Sequence, residues 1–112
     1  MITGAHAVLF TQDADALRAF LRDTLELPSV DAGGGWLILG LPPAELAAHP
    51  SDQTGSGLYL MCDDIEATVA QLEAKGVELA RPLSDEGWGL VTAIALPGGG
   101  ELGLYEPRHP RP

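Results

Sequence analysis

The chain has 112 residues and a formal net charge of −10, and six Lys and Arg against sixteen Asp and Glu exclude a basic face for nucleic acid or an anionic membrane. A content of 46% hydrophobic and 20% charged residues excludes a disordered chain, and this length suits one domain with a real core. The one cysteine, Cys62, excludes an intrachain disulfide, and without a basic-flanked apolar leader or a run near about 18 apolar residues the chain reads as soluble and cytoplasmic.

In chain order, Ala5 to Thr11 alternates and reads as a strand, with His6, Val8 and Phe10 on one face. Asp13 offers an N-cap for a helix from Ala14 to about Leu25, in which Leu17, Phe20, Leu21 and Leu25 fall at helical spacing and which stops before Pro28. Val30 to Asp31, Trp36 to Gly40 and Leu46 to His49 read as three further strands, separated by Gly33-Gly34-Gly35 and Pro42-Pro43. After a linker from Asp52 to Ser56 the order repeats. Leu58 to Cys62 is a strand; Asp63 or Asp64 caps a helix with Ile65, Val69 and Leu72 on one stripe, and Gly76 supplies its stop. Val77 to Ala80, Leu90 to Ala95 and Glu101 to Tyr105 are the last strands, the final pair joined at Gly98-Gly99-Gly100, and the tail Arg108 to Pro112 reads as extended or frayed.

The repeat is visible in the letters as well. Gly35-Trp36, Leu41-Pro42, Glu45-Leu46 and His49-Pro50 recur as Gly87-Trp88, Leu96-Pro97, Glu101-Leu102 and Glu106-Pro107. Neither half buries enough apolar surface to fold alone, so the halves share a core, and the seam between them is a natural pocket. The fold class is α+β: one domain over residues 1–112, with a first module at about 3–50, a second at about 56–107 and a tail at 108–112.

Two tandem β-α-β-β-β modules, a strand running into Asp63-Asp64-Ile65-Glu66-Ala67, and the closing stretch from Pro97 through Glu101-Leu102-Gly103-Leu104-Tyr105-Glu106-Pro107 resemble the vicinal oxygen chelate superfamily, the group of glyoxalases, bleomycin resistance proteins and extradiol dioxygenases. The resemblance covers residues 3 to 107. It implies a curved eight-stranded mixed sheet around a cavity, commonly completed by dimerisation, and in the metal enzymes a divalent ion held from the first and last strands of each module. His6 stands at one such position. The other three are Ala47, Gly57 and Gly103, none able to bind metal. A catalytic site generally needs three protein ligands and an open position, so no metal cofactor is expected. A shifted site from His6, His49 and either Glu45 or Glu101 stays open as an alternative.

The resemblance therefore implies a homodimer that binds a small organic ligand without metal. Two alternatives remain: a metal-dependent lyase, isomerase or dioxygenase with a shifted site, and a protein that sequesters a cationic antibiotic. The candidate pocket has a floor of Phe10, Tyr59, Met61 and Tyr105 and an acidic rim of Glu45 and Glu101, with His6, Val8, Trp36, His49 and Trp88 around it. His6 reads first as a cavity-lining or hydrogen-bonded histidine. Trp36 and Trp88 read as core or lid aromatics, or as a flat wall for a planar ligand. Cys62 precedes Asp63 and Asp64, which disfavour its thiolate, so it reads as packing rather than a nucleophile. Asp85-Glu86 reads as a solvated turn, and Gly33-Gly34-Gly35 opens no helix and so is no phosphate site.

Overall fold

A computed structural model describes residues 6–44, 47, 50–54 and 56–110. Its order is α1 (Ala14–Ala19) with a π-helical continuation (Phe20–Thr24), β1 (Ser29–Asp31), β2 (Leu37–Leu39), β3 (Tyr59–Met61), α2 (Ile65–Ala74), β4 (Leu79–Asp85), β5 (Gly89–Ala95) and β6 (Glu101–Pro107). The fold is α+β. Among the described residues six strands form two sheets, β1-β2 and β3-β6-β5-β4, rather than one sheet of eight strands.

The first module departs from expectation at its start. Residues 6–11 alternate in sequence but form no strand, and Val8 and Phe10 are 58% and 94% exposed. Alternation supplies a face, but a strand exists only where a neighbour takes up its backbone hydrogen bonds, and no described part of this chain pairs with this one. The helix is as expected. The Asp13 carboxylate accepts the Ala16 N–H at 3.1 Å, and Leu17 turns inward to 4% exposure. Its last turn widens, with the Leu25 N–H reaching the Phe20 carbonyl at 3.1 Å and the Leu27 N–H reaching the Leu21 carbonyl at 3.1 Å. That closure places Glu26 at φ +60°, a left-handed position usually held by glycine.

The Gly33-Gly34-Gly35 run is the turn of the β1-β2 hairpin, whose register is Ser29↔Leu39, Val30↔Ile38 and Asp31↔Leu37. All three glycines have positive φ, and the Asp31 carboxylate closes the loop by accepting the Gly33 N–H at 2.7 Å and the Gly35 N–H at 3.2 Å. Of the strand expected at Leu46 to His49, residues 46, 48 and 49 lie outside the described residues.

The second module keeps the expected β-α-β-β-β order. Asp64 caps α2 by accepting the Ala67 N–H at 3.1 Å, and Gly76 ends it at φ +87°. The stripe of Ile65, Val69 and Leu72 packs on Ile94, Leu102 and Leu104, all at most 9% exposed, and Phe20, Leu21 and Leu25 of the first module close over this core. Lys75 ties the modules by donating to the Thr24 carbonyl at 3.1 Å. β4 runs to Asp85, past the expected Ala80, because it is an edge strand: two register shifts along it accommodate Pro82, which can donate no ladder bond. β6 likewise runs on to Pro107. Buried Thr92 is satisfied by donating to the Arg81 carbonyl at 2.6 Å.

Register decides what faces away from α2. Tyr59 lies opposite Gly103 and Met61 opposite Tyr105 on the parallel β3-β6 pair, while Val91 lies opposite Tyr105 and Ala93 opposite Gly103 on β5-β6. Strand alternation therefore collects Tyr59, Met61, Gly103, Tyr105, Val91 and Ala93 on one surface.

Candidate functional site

A cleft of about 1760 Å³ opens between the modules. The end of the first helix and the Leu41–Ala44 segment bound one side, and β3, the Thr68-Gln71-Lys75 side of α2 and the end of β6 bound the other. The sheet side of its lining includes Tyr59, Met61, Trp88, Tyr105 and His109. Tyr105 is the hub. Its ring meets Tyr59 edge-to-face at 6.0 Å and 88°, meets Trp88 at 5.9 Å and 68°, and stacks with His109 at 6.1 Å and 30°. The near-perpendicular rings make an aromatic corner able to hold a flat molecule by face and edge together. Glu26, Asp63 and Glu106 are the acids in the described lining and Lys75 the base, so the cleft leans negative. Glu106 is also structural, accepting the Ile65 N–H at 3.1 Å at the start of α2.

The corner depends on Gly103 having no side chain. A Cβ there would come within 2.6 Å of Tyr59 Cε1 and 2.9 Å of its Cγ, and closer still to Cδ1. The Tyr59 ring thus lies directly over Gly103, in the space that a longer residue at this position would take. At Gly57 an added Cβ would meet Tyr59 Cε2 at 4.0 Å, an ordinary contact. Among the described residues no group of three or more His, Cys, Asp and Glu could hold a metal ion. The described donors of the cleft by themselves do not make up a three-ligand divalent site.

The sequence pattern of the glyoxalase/bleomycin resistance protein/dioxygenase superfamily matches residues 4–107. The chain belongs to that superfamily. No curated protein matches it. Among solved structures it is similar to TnmS3, an antibiotic binding protein from Streptomyces sp. CB03234, with 25% identity over 96% of this chain and 99% of that one and a TM-score of 0.65. It is also similar to a lactoylglutathione lyase from Agrobacterium tumefaciens, with 18% identity, coverage of 93% and 92% and a TM-score of 0.62. A superfamily member from Sphaerobacter thermophilus DSM 20745 has 19% identity, coverage of 94% and 98% and a TM-score of 0.64. The last two likenesses speak for the fold alone.

Against the superfamily pattern the expected pocket residues divide. Tyr59, Met61, Trp88 and Tyr105 line the cleft together. His6, Val8 and Phe10 do not; they are exposed on the N-terminal segment, because the strand that would turn them inward has no partner among the described residues. Trp36 is 64% exposed on the first hairpin, with the Arg18 guanidinium 4.7 Å over its ring, so the two tryptophans of the repeat have different surroundings. Glu101 stands at the far end of β6, paired with Arg81 at 2.9 Å, and forms no rim. Glu45 and His49 lie outside the described residues, and Ala47 lines the cleft.

Cys62 also lines the cleft. Burial pushes its thiol up, the Thr68 hydroxyl opposes this, and the Asp63 and Glu106 carboxylates add to it. His109 was missed from the sequence because a histidine between prolines in a terminal stretch carries no periodic signal. Of the extended or frayed forms expected for this stretch, Arg108 and His109 take a held one, with the Arg108 N–H donating to the Trp88 carbonyl at 2.9 Å and the His109 ring stacked on Tyr105.

No described helix is long and apolar enough to cross a membrane.

Proposed function

We propose that the protein binds a small organic molecule of the antibiotic class in the aromatic-walled cleft, without a metal, as a homodimer in the cytoplasm. The observation that carries this reading is the Tyr59 ring seated over Gly103, which puts an aromatic wall where the superfamily's metal enzymes place a ligand side chain. The 25% likeness to an antibiotic binding protein over nearly the whole of both chains supports the ligand class. A net charge of −10 and a cleft leaning acidic favour an aromatic cation over an anion of the same size. Dimerisation is supported by Val8, Phe10, Val30 and Trp36, each at least 58% exposed, and by the edge of β3 that no described strand covers. A second copy placed there would complete the curved eight-stranded sheet and narrow a cleft that is larger than the roughly 300 to 1,000 Å³ of ordinary ligand sites.

Elemental analysis after gentle purification, followed by titration with matched aromatic cations and anions and a resistance assay in an antibiotic-sensitive host, tests the proposal. The expected result is no stoichiometric transition metal, tighter cation binding and protection of the host. One equivalent of tightly bound metal would overturn the metal-free reading and favour a lyase, isomerase or dioxygenase.

A further inference from the structure

We infer that Glu26, at the end of the first helix, is a specificity-determining residue of the cleft, and that it selects planar aromatic molecules carrying a basic amine by accepting their ammonium N–H groups. The inference rests on the reading of the cleft as a site for an aromatic cation. Glu26 is the one non-glycine residue with positive φ among the described residues, and its +60° lies where glycine would sit without strain. The backbone fixes it there, because the Leu25 N–H is held by the Phe20 carbonyl and the Leu27 N–H by the Leu21 carbonyl, each at 3.1 Å. Its side chain contributes little to the fold, being 79% exposed in an ion pair with Lys75 that is 3.9 Å long. Strained positions of this kind cluster at ligand sites, and Glu26 lines the cleft.

The two walls of the cleft differ in chemistry. On the sheet side Tyr59, Met61 and Tyr105 take a flat ring by face and edge. On the first-module side Leu27, Leu41, Pro42 and Pro43 offer carbon surface, and Glu26 is the one charged residue of that wall among the described residues. A molecule whose ring rests on the aromatic side therefore meets, across the cleft, a wall whose charge is negative. The other two acids do not stand there. Glu106 holds the start of α2 by accepting the Ile65 N–H at 3.1 Å, and Asp63 follows β3 and so belongs to the sheet side with the rings. The neighbouring base, Lys75, donates to the Thr24 carbonyl at 3.1 Å, a closer contact than it makes with Glu26. A carboxylate offers about four acceptor positions on its two oxygens, so one distant ammonium at Oε1 leaves Glu26 able to accept from a ligand. Bonds from an ammonium to a carboxylate are charge-assisted and about twice as strong as neutral ones, so an alcohol of the same shape binds more weakly there.

Equilibrium dialysis at neutral pH with 2-naphthylmethylamine and 2-naphthylmethanol, which share a shape and differ in charge, tests the inference on wild type, Glu26→Gln, Glu26→Gly and Glu101→Gln. Wild type is expected to prefer the amine by about three- to fivefold, the scale of one ion pair open to solvent. Glu26→Gln keeps the length of the side chain and is expected to lower that preference to about 1.5-fold or less while leaving the naphthylmethanol dissociation constant within about twofold. Glu101→Gln removes the same charge at the far end of β6 and is expected to keep the wild-type preference, which separates contact at Glu26 from net charge. Glu26→Gly is expected to lose the preference while its melting temperature rises by about 2 to 5 °C as the strain is relieved, a pairing that a merely structural residue would not show. A wild-type preference in Glu26→Gln overturns the inference and leaves the cleft as a site for an aromatic cation. So does a parallel loss of both probes in Glu26→Gln, or an equal loss of preference in Glu101→Gln. Equal binding of the two probes by wild type overturns the cation reading, and failure to bind either overturns the small-molecule reading, each taking the inference with it.

Discussion

Gly103→Ala should destabilise the protein although alanine suits a β-strand better than glycine does. The new Cβ would lie 2.6 Å from Tyr59 Cε1 and 2.9 Å from Tyr59 Cγ. Because Cγ is among the clashing atoms, a ring flip cannot relieve the contact; Tyr59 must change χ1 and leave Gly103, giving up its edge-to-face contact with Tyr105 at 6.0 Å. Losing an aromatic pair costs about 0.5 to 1.5 kcal/mol, and forcing extra volume into a packed site costs typically about 1 to 3 kcal/mol. Tyr59 is 43% exposed and can move partly into solvent, which argues for the lower part of that range. Strand propensity returns at most about 1 kcal/mol, so the net loss is about 1 to 2 kcal/mol. In a Tyr59→Ala background the clash is gone, and the same Gly103→Ala change should be neutral or stabilising. Urea denaturation of the four proteins of this double-mutant cycle measures the coupling, with an unchanged m-value showing that compactness is not the cause. A neutral Gly103→Ala in wild type, or the same cost in both backgrounds, would refute the placement of the ring.

Three further outcomes follow from single residues. Glu26→Gly should raise stability by about 0.5 to 1 kcal/mol in thermal or urea unfolding, because Glu26 sits at φ +60° and its ion pair with Lys75, exposed and 3.9 Å long, contributes little. Alkylation of Cys62 by iodoacetamide should show a pH–rate midpoint above the ordinary thiol value of about 8.5, since burial disfavours the reactive thiolate; a midpoint below it would contradict the placement of this side chain. The Asp85 carboxyl, held below its ordinary value first by the Gly87 N–H and then by Arg108, should titrate below about 3.9 in a carboxyl-detected NMR titration. A folded-state value lower than the unfolded one means that its contribution is present above the ordinary carboxylate range and lost as pH falls through the depressed value. Arg108 should therefore loosen from the β4-β5 turn only in acid, and an Asp85 midpoint at or above 3.9 would count against that latch.

Much of the second module was legible because its signals are local. Asp64 before the Ile65, Val69 and Leu72 stripe, Gly76 after it, and glycines between β5 and β6 each name their own backbone state, and a strand between two partners in the same module needs nothing from elsewhere. The first module was legible only as far as its helix and hairpin. His6 to Phe10 have the alternation of a strand, but pairing is a property of two segments, and no described segment of the chain pairs with them. The same reasoning separates the site residues. Tyr59, Met61 and Tyr105 could be assigned to one face by counting along β3 and β6, because alternation is dictated by the covalent chain. Only register could seat Tyr59 over Gly103, send Glu101 to Arg81 at the far end of β6 and make Tyr105 the hub of an aromatic corner, since a slip of one residue would have reversed every side chain. His109 entered the wall for the same kind of reason: Arg108 extends the ladder past the last residue of the repeat. What local chemistry could specify, the amino-acid order determined, and what depended on which strands meet and in which register, the tertiary structure decided.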